Sequence, residues 1–201
     1  MPYIWWEKTV EYLFVKKHLN QDSIVAPLAG NHEKAGDAIF LTNNKWILIE
    51  FKREQSDINS ERKKFDDNAY NDAITDLKNN DGHHLIIFGS IGKDHKLQLN
   101  CNTYFSKKNV ETSKALSSGT GWRNFYDYLI KFISYKLDNK NGDGGGNVDF
   151  SHVIGVDESG EAIAIMSLSE LSDQFPDNTP GLGSILNPEP PISSPSNTPR
   201  M

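Results

Sequence analysis

Apolar residues recur at two different spacings along the chain, and these spacings separate predicted helices from predicted strands. Over residues 4–19 they return at helical spacing, which predicts an N-terminal helix. Two apolar runs then follow, DAIFLT at 37–42 and KWILIEFK at 45–52, with Asn43 and Asn44 between them. Asparagine tolerates the positive φ of a two-residue turn, so the two runs predict a tight β-hairpin.

The following segments alternate between helical and extended patterns. Residues 60–79 predict a helix with one buried stripe, and residues 83–88 and 96–105 predict strands. Residues 121–137 predict an amphipathic helix with an apolar stripe that belongs to the core or to a partner surface, formed by Trp122, Phe125, Tyr126, Leu129, Phe132 and Ile133. This order of helix, hairpin, helix and strand predicts an α/β fold with a mixed sheet.

The last third of the chain has a different composition. Glycine-rich residues 141–147 indicate a flexible linker, and the runs 152–156 and 161–166 predict a second hairpin. From residue 175 onward Pro, Ser, Asn and Gly dominate, which predicts disorder. We therefore predict a domain at 1–140, a linker at 141–147, a small hairpin and helical extension at 148–174, and a disordered acidic tail at 175–201.

Charge is distributed unevenly between these segments. Residues 1–140 carry 20 Lys+Arg and 18 Asp+Glu, whereas residues 141–201 carry 1 and 9, so that +2 and −8 sum to the net charge of −6. A near-neutral domain of this kind would bind nucleic acid through a local basic patch. Two readings stay open for the basic residues after the second apolar run, a phosphate-binding patch or a solvated helix face: Arg53, Arg62, Lys63 and Lys64.

Composition also limits the environment of the protein. The single cysteine, Cys101, excludes an internal disulfide and fits a reducing compartment, so we expect a cytoplasmic location. The sequence has no run of about 18 apolar residues, so we expect no membrane span. A structural zinc site is not expected, because His83 and His84 lack further ligands at suitable spacing and should point to opposite faces of a strand.

The first hairpin brings three charged side chains to one face of the predicted sheet. With a two-residue turn after Thr42, Asp37 falls directly opposite Glu50, with Cβ atoms about 4.5–5.5 Å apart. Lys52 lies two residues beyond Glu50, so its side chain points to the same face, about 7 Å along the strand.

Two facing carboxylates repel each other unless a cation lies between them. Carboxylate oxygens are hard ligands suited to Mg²⁺ or Mn²⁺, which offsets phosphate charge and lowers the pKa of an attacking water. A neighbouring lysine stabilises the negative charge that develops during the reaction. Asp37, Glu50 and Lys52 therefore predict metal-dependent phosphodiester hydrolysis.

The same residues carry a family resemblance. A Gly36-Asp37 dipeptide, followed on the next strand by Glu50-Phe51-Lys52 and preceded by a helix with a glutamate, resembles the PD-(D/E)XK nucleases over about half of the chain. The resemblance implies a restriction-endonuclease-like core and an endonuclease that uses Mg²⁺ or Mn²⁺. It also implies DNA as the substrate, less often RNA. The process that would use the cut stays open among repair, restriction, phage defence and mobile-element biology.

The resemblance further implies a metal-binding acid on the first helix. Glu7 and Glu11 lie four residues apart, hence on one helical face, and spacing does not choose between them. We favour Glu7, because apolar residues follow it at helical spacing. The expected catalytic residues are Asp37, Glu50, Lys52 and Glu7, and the expected metal ligands are Asp37, Glu50, Glu7 and Glu11.

A second hypothesis uses the same fold without the chemistry. The chain would then be a catalytically silent or partner-activated interaction module in a nucleic-acid-processing or defence complex. Its acidic C-terminal region or its aromatic helix at 121–137 would bind a protein partner. The oligomeric state stays open, with a homodimer as one option under the nuclease hypothesis, because in this kind of enzyme two strands are usually cut by two subunits.

Overall fold

A computed structural model of the chain describes residues 5–19, 44–137 and 152–186. The helices in these ranges are α1 (Glu7–His18), α2 (Asp67–Leu77), α3 (Trp122–Leu137), α4 (Leu168–Gln174) and α5 (Leu182–Leu186). The strands are β1 (Lys45–Glu54), β2 (His84–Ile91), β3 (Leu97–Thr103), β4 (Asn109–Val110), β5 (Thr120–Gly121), β6 (His152–Val156) and β7 (Ala162–Ser167). Short 3-10 helices lie at Gln55–Lys64, Thr112–Lys114 and Leu116–Ser118.

The described strands form one sheet of seven, in the order β4-β3-β2-β1-β6-β7, with β5 also paired to β1. Strands β1 and β2 are parallel, and the other pairs are antiparallel. The predicted α/β class with a mixed sheet is therefore confirmed. The narrower prediction of a restriction-endonuclease-like core stays a prediction.

Strand β1 is confirmed, but the hairpin partner predicted for it is not. Leu48 pairs with β2 on one edge and with β6 on the other, and Trp46 pairs with β5 and β6. A strand has only two hydrogen-bonding edges, so no edge of β1 is left at these positions for residues 37–42. The pairs predicted at Trp46 and Leu48 are therefore wrong, whereas the predicted pair of Asp37 with Glu50 is not tested, because 37–43 lie outside the described residues.

The alternation of β1 divides the core into two layers. Ile47, Ile49 and Phe51 face α1, whose Val10 and Phe14 are buried against them. The even-numbered positions face the layer of α2, α3 and α4, beginning with the apolar pair Trp46 and Leu48 and continuing with the charged pair Glu50 and Lys52. The predicted apolar stripe of α3 is confirmed as part of this layer: Phe125, Leu129, Phe132 and Ile133 are buried, and Trp122 and Tyr126 are partly buried.

The helix predicted at 60–79 is divided into two elements. A 3-10 helix ends at Lys64, Phe65 is extended and buried, and α2 begins after Asp66. The side chain of Asp66 accepts a hydrogen bond of 3.0 Å from the backbone N–H of Asn68. This capping contact starts a new helix where the apolar spacing alone indicated a continuous one.

The C-terminal hairpin is confirmed as β6 and β7, and it extends the same sheet through β6 beside β1. The prediction of disorder from residue 175 is wrong for 175–186. Phe175 and Leu182 are buried in the α3 layer, and the hydroxyl of Tyr126 donates a 2.8 Å hydrogen bond to the carbonyl of Pro180. Two well-placed apolar residues thus anchor a segment of polar composition, while 141–147 and 187–201 lie outside the described residues.

No helix in the described ranges is long and apolar enough to cross a membrane.

Candidate active site

Two charged residues of β1 are buried side by side near the carboxyl end of the strand. Glu50 is 1% exposed and Lys52 is 6% exposed. The ammonium Nζ of Lys52 lies 3.8 Å from Oε2 of Glu50. The period of two along a strand places both side chains on the face covered by α3, as the sequence predicts.

The 3-10 helix that follows β1 adds a second buried carboxylate. Oε1 of Glu61 lies 2.9 Å from Nζ of Lys52 and 2.7 Å from Nζ of Lys64. The other oxygen of Glu61 accepts a 3.0 Å hydrogen bond from the hydroxyl of Tyr104. Lys64 also lies 3.7 Å from Oε2 of Glu50, so it joins the two carboxylates.

Helix α3 contributes a third lysine to this group. Nζ of Lys136 lies 3.0 Å from Oε1 of Glu50 and 3.7 Å from Oε2 of Glu61. We call the five residues Glu50, Lys52, Glu61, Lys64 and Lys136 the charge cluster. Its three lysines and two glutamates come from β1, the 3-10 helix that follows it and α3.

The neighbours of Glu50 and Lys52 keep both side chains charged. Burial alone lowers the pKa of Lys52, but Glu61, Glu50 and Glu7 outweigh burial and leave that pKa raised. Burial alone raises the pKa of Glu50, but the lysines, with Lys136 foremost, hold it well below its usual range. Lys52 is therefore a cation and Glu50 an anion at neutral pH, and Lys52 is not available as a general base.

The first helix brings one of its two candidate acids to the charge cluster. Oε2 of Glu7 lies 3.5 Å from Nζ of Lys52, and the side chain is 46% exposed. Partial burial raises the pKa of Glu7, and Lys52 opposes this effect. Glu11 instead lies 2.7 Å from Lys8 and 3.7 Å from His152. The geometry therefore favours Glu7 over Glu11 as the acid beside Lys52, and the metal-binding role of either stays a prediction.

The donors available for a divalent cation are of the expected kind. Glu50 and Glu7 offer carboxylate oxygens, the hard ligands that Mg²⁺ and Mn²⁺ prefer. Within the described ranges, no group of three or more His, Cys, Asp and Glu residues is arranged to hold a metal. The third predicted ligand, Asp37, lies outside the described residues, and a complete site needs it or its equivalent.

The basic residues between Arg53 and Lys64 do not form one patch. Lys64 belongs to the charge cluster, whereas Arg53 forms ion pairs of 2.6 Å with Glu54 and 3.3 Å with Asp57. The guanidinium of Arg62 lies over the ring of Tyr70, 5.5 Å from its centre.

The two histidines at the start of β2 differ from the expectation of opposite faces. Both are buried, and the rings of both pack against Tyr128, with centroids 4.7 Å away for His83 and 5.6 Å for His84. The reason is that β2 begins at His84, so His83 precedes the regular alternation. Nδ1 of His84 lies 2.8 Å from the hydroxyl of Tyr128, which gives this ring a structural partner.

Sequence reasoning missed Glu61 and Lys136 as members of the site. Lys136 follows Leu129 by seven residues and Phe132 by four, so it continues the apolar stripe of α3. A lysine at such a position signals a buried partner, and this signal could have identified it. Glu61 stands in a run of charged residues that is typical of a solvated helix face, and nothing local distinguishes it.

Comparison with known proteins found no matching family model, no matching curated protein and no matching solved structure.

Proposed function

We propose that the protein is a metal-dependent nuclease that hydrolyses phosphodiester bonds of DNA, with Glu50 and Lys52 at the centre of its active site. One observation carries the proposal: a buried carboxylate and a buried ammonium lie 3.8 Å apart at the carboxyl end of a parallel strand. Ligand sites of open α/β sheets are found at this end of the strands. Glu7 lies on the solvent side of Lys52, 3.5 Å from it, where a substrate could approach.

The residues have separate tasks in this proposal. Glu50, Glu7 and Asp37 would hold the cation, which when bound offsets phosphate charge and lowers the pKa of a water molecule. Lys52 stays protonated because of its carboxylate neighbours. Its ammonium therefore stabilises the negative charge that develops on the phosphate oxygens in the transition state. Glu61 and Tyr104 hold the lysine in place, since Glu61 contacts both of them.

A second candidate function has one specific observation in its favour. Lys136 and Lys64 lie 3.0 Å and 3.7 Å from the oxygens of Glu50, so the charge of this carboxylate is offset without a metal. An interaction module that never binds a cation would be stable with such an arrangement. This candidate predicts that Mg²⁺ and Mn²⁺ do not change the thermal stability of the protein, whereas a metal-binding nuclease gains stability with them.

A cleavage assay tests the nuclease directly. The purified protein is incubated with linear, circular and single-stranded DNA and with RNA, in Mg²⁺, in Mn²⁺ and in chelator. Glu50→Gln and Lys52→Gln variants are compared with Lys131→Gln, an exposed lysine of α3 that lies outside the charge cluster. We expect metal-dependent cleavage of DNA by the wild type and Lys131→Gln, and its loss in the two site variants. Cleavage retained by folded Glu50→Gln and Lys52→Gln would refute the proposed site.

A further inference from the structure

Lys136 is a cation in an apolar environment. Its side chain is 1% exposed, and its ammonium lies over the ring of Phe132, 4.4 Å from the centroid. The rings of Tyr104 and Phe65 are also within 6 Å, at 5.8 Å and 5.9 Å. A buried ammonium is costly unless carboxylates compensate it. The compensation comes from within the charge cluster, where Glu50 is the nearest carboxylate at 3.0 Å.

This contact concerns the same carboxylate that the proposed metal would use. A magnesium ion binds a carboxylate oxygen at about 2.1 Å. An ammonium already 3.0 Å from Oε1 of Glu50 would then lie within roughly 5 Å of a divalent ion, adding the two distances. Like charges at this separation repel strongly where little water screens them. Lys136 and a divalent cation are therefore alternatives at Oε1 of Glu50, whereas Lys52 and Lys64 lie nearer the other oxygen, 3.8 Å and 3.7 Å from Oε2.

We propose that Lys136 is an internal counter-cation that competes with the divalent metal for the carboxylate of Glu50. The inference rests on the proposed function, since it concerns the metal of that site. Lys136 holds Glu50 in place and compensates its charge when no metal is bound. It also lowers the affinity of the protein for the metal, because binding must displace the ammonium from Oε1. Lys136 is thus a positioning residue that makes the site weak for metal until other negative charge, such as a substrate phosphate, is added.

Metal binding, not cleavage, gives the direct test. Isothermal titration with Mn²⁺ alone compares the wild type with Lys136→Gln and Lys136→Met. The glutamine keeps a hydrogen-bond donor for Glu50 without the charge, whereas the methionine removes both. We expect both variants to bind Mn²⁺ about tenfold more tightly than the wild type, a typical size for coupling between two sites. A role of Lys136 in packing alone would not raise the affinity.

Two controls locate the effect. Lys131→Gln removes a lysine from the exposed side of the same helix and should leave the Mn²⁺ affinity unchanged. The double variant Glu50→Gln/Lys136→Gln should not show the increase in Mn²⁺ affinity, because Lys136 and the metal compete for Glu50. A gain that persists in this double variant would overturn the proposal.

The outcomes separate this inference from the proposed function. Equal Mn²⁺ affinity in the wild type and both Lys136 variants overturns the counter-cation, while metal-dependent cleavage by the wild type would leave the nuclease intact. Absence of Mn²⁺ binding in every variant overturns both. If the Lys136 variants do not fold without metal, Mn²⁺ should restore the fold, since it replaces the missing ammonium. Failure of Mn²⁺ to do so would overturn the inference.

Discussion

The ammonium of Lys136 and the carboxylate of Glu50 form a 3.0 Å ion pair in which each side chain is only 1% exposed. The pair joins α3 to β1 through the layer of aromatic residues that separates helix from sheet. It therefore links the main helix of this layer to the strand that carries the proposed chemistry.

Removal of one member of this pair should destabilise the protein strongly in the absence of metal. Lys136→Met leaves the buried charge of Glu50 with less compensation, and breaking a buried pair costs about 3–5 kcal/mol. Urea denaturation in the presence of chelator measures the free energy of unfolding. Lys131→Met, which loses only an exposed pair with Asp76, should change it by less than about 1 kcal/mol. Similar small losses in both variants would contradict the prediction.

Stability should depend on pH through His83. Burial lowers the pKa of His83 to about 4, from an ordinary value near 6.5. Between these values the unfolded chain takes up a proton that the folded protein excludes, so the free energy of unfolding falls as the pH decreases. At pH 5 the loss from this group is about 2 kcal/mol relative to pH 7.

The variant His83→Gln isolates this contribution. Thermal or urea unfolding at pH 7 and pH 5 should show a smaller difference for His83→Gln than for the wild type, because the titrating ring is gone. Burial also lowers the pKa of His84, so part of the pH dependence of stability should remain in the His83→Gln variant. An unchanged difference between the two pH values would show that His83 does not carry the effect.

The C-terminal segment should contribute to stability despite its polar composition. Leu182 is fully buried against the α3 layer. Leu182→Ala should therefore lower the free energy of unfolding by about 2–5 kcal/mol. Ile91→Ala offers a matched control, since Ile91 is 50% exposed and its loss should cost less than about 1 kcal/mol. Denaturation of the two variants side by side checks this, and equal losses would mean that Leu182 is not part of the core.

Gly89 should be required for the position of α1. A Cβ at Gly89 would lie 2.6 Å from Nε1 of Trp5 and 2.8 Å from the carbonyl oxygen of Arg53. These two groups form a 2.7 Å hydrogen bond, which fixes the start of α1 against the end of β1. Gly89→Ala should cost about 1–3 kcal/mol through overpacking and move Glu7 away from Lys52.

Cleavage and stability together test this prediction. Gly89→Ala should lose nuclease activity together with stability. Gly82→Ala should retain both, because no described atom beyond its chain neighbours lies within 4 Å of a Cβ at Gly82. Full activity in Gly89→Ala would show that the contact between Trp5 and Arg53 does not position the first helix for function.

The face of a strand or helix on which a residue lies could be predicted from the spacing of apolar residues in the sequence. The period of two in β1 places Glu50 and Lys52 on one face, and this face was correctly predicted. The helical period of α3 correctly predicted its core stripe. Both predictions depend only on neighbours in the chain, and the backbone geometry of a strand or helix is enough to make them.

The pairing of β1 and the composition of the charge cluster could not be predicted in this way. The residues around β1 do not predict that β6 pairs with it. Which strand pairs with β1 depends on the packing of the whole sheet. Lys136 contacts both Glu50 and Glu61 only because α3 and a 3-10 helix converge on β1. Contacts between distant segments of this kind are set by tertiary structure, which no local period encodes.

The position of β6 next to β1 has a consequence for synthesis on the ribosome. The two strands are separated in the chain by α2, β2, β3 and α3, so β1 is made long before the strand that covers its second edge. A nascent chain that ends before His152 exposes the edge of β1 at residues 46–49, because β6 has not yet been made. Exposed apolar strand edges tend to pair with other chains. We therefore expect the second edge of β1 to gain its native partner only when the C-terminal hairpin has left the exit tunnel.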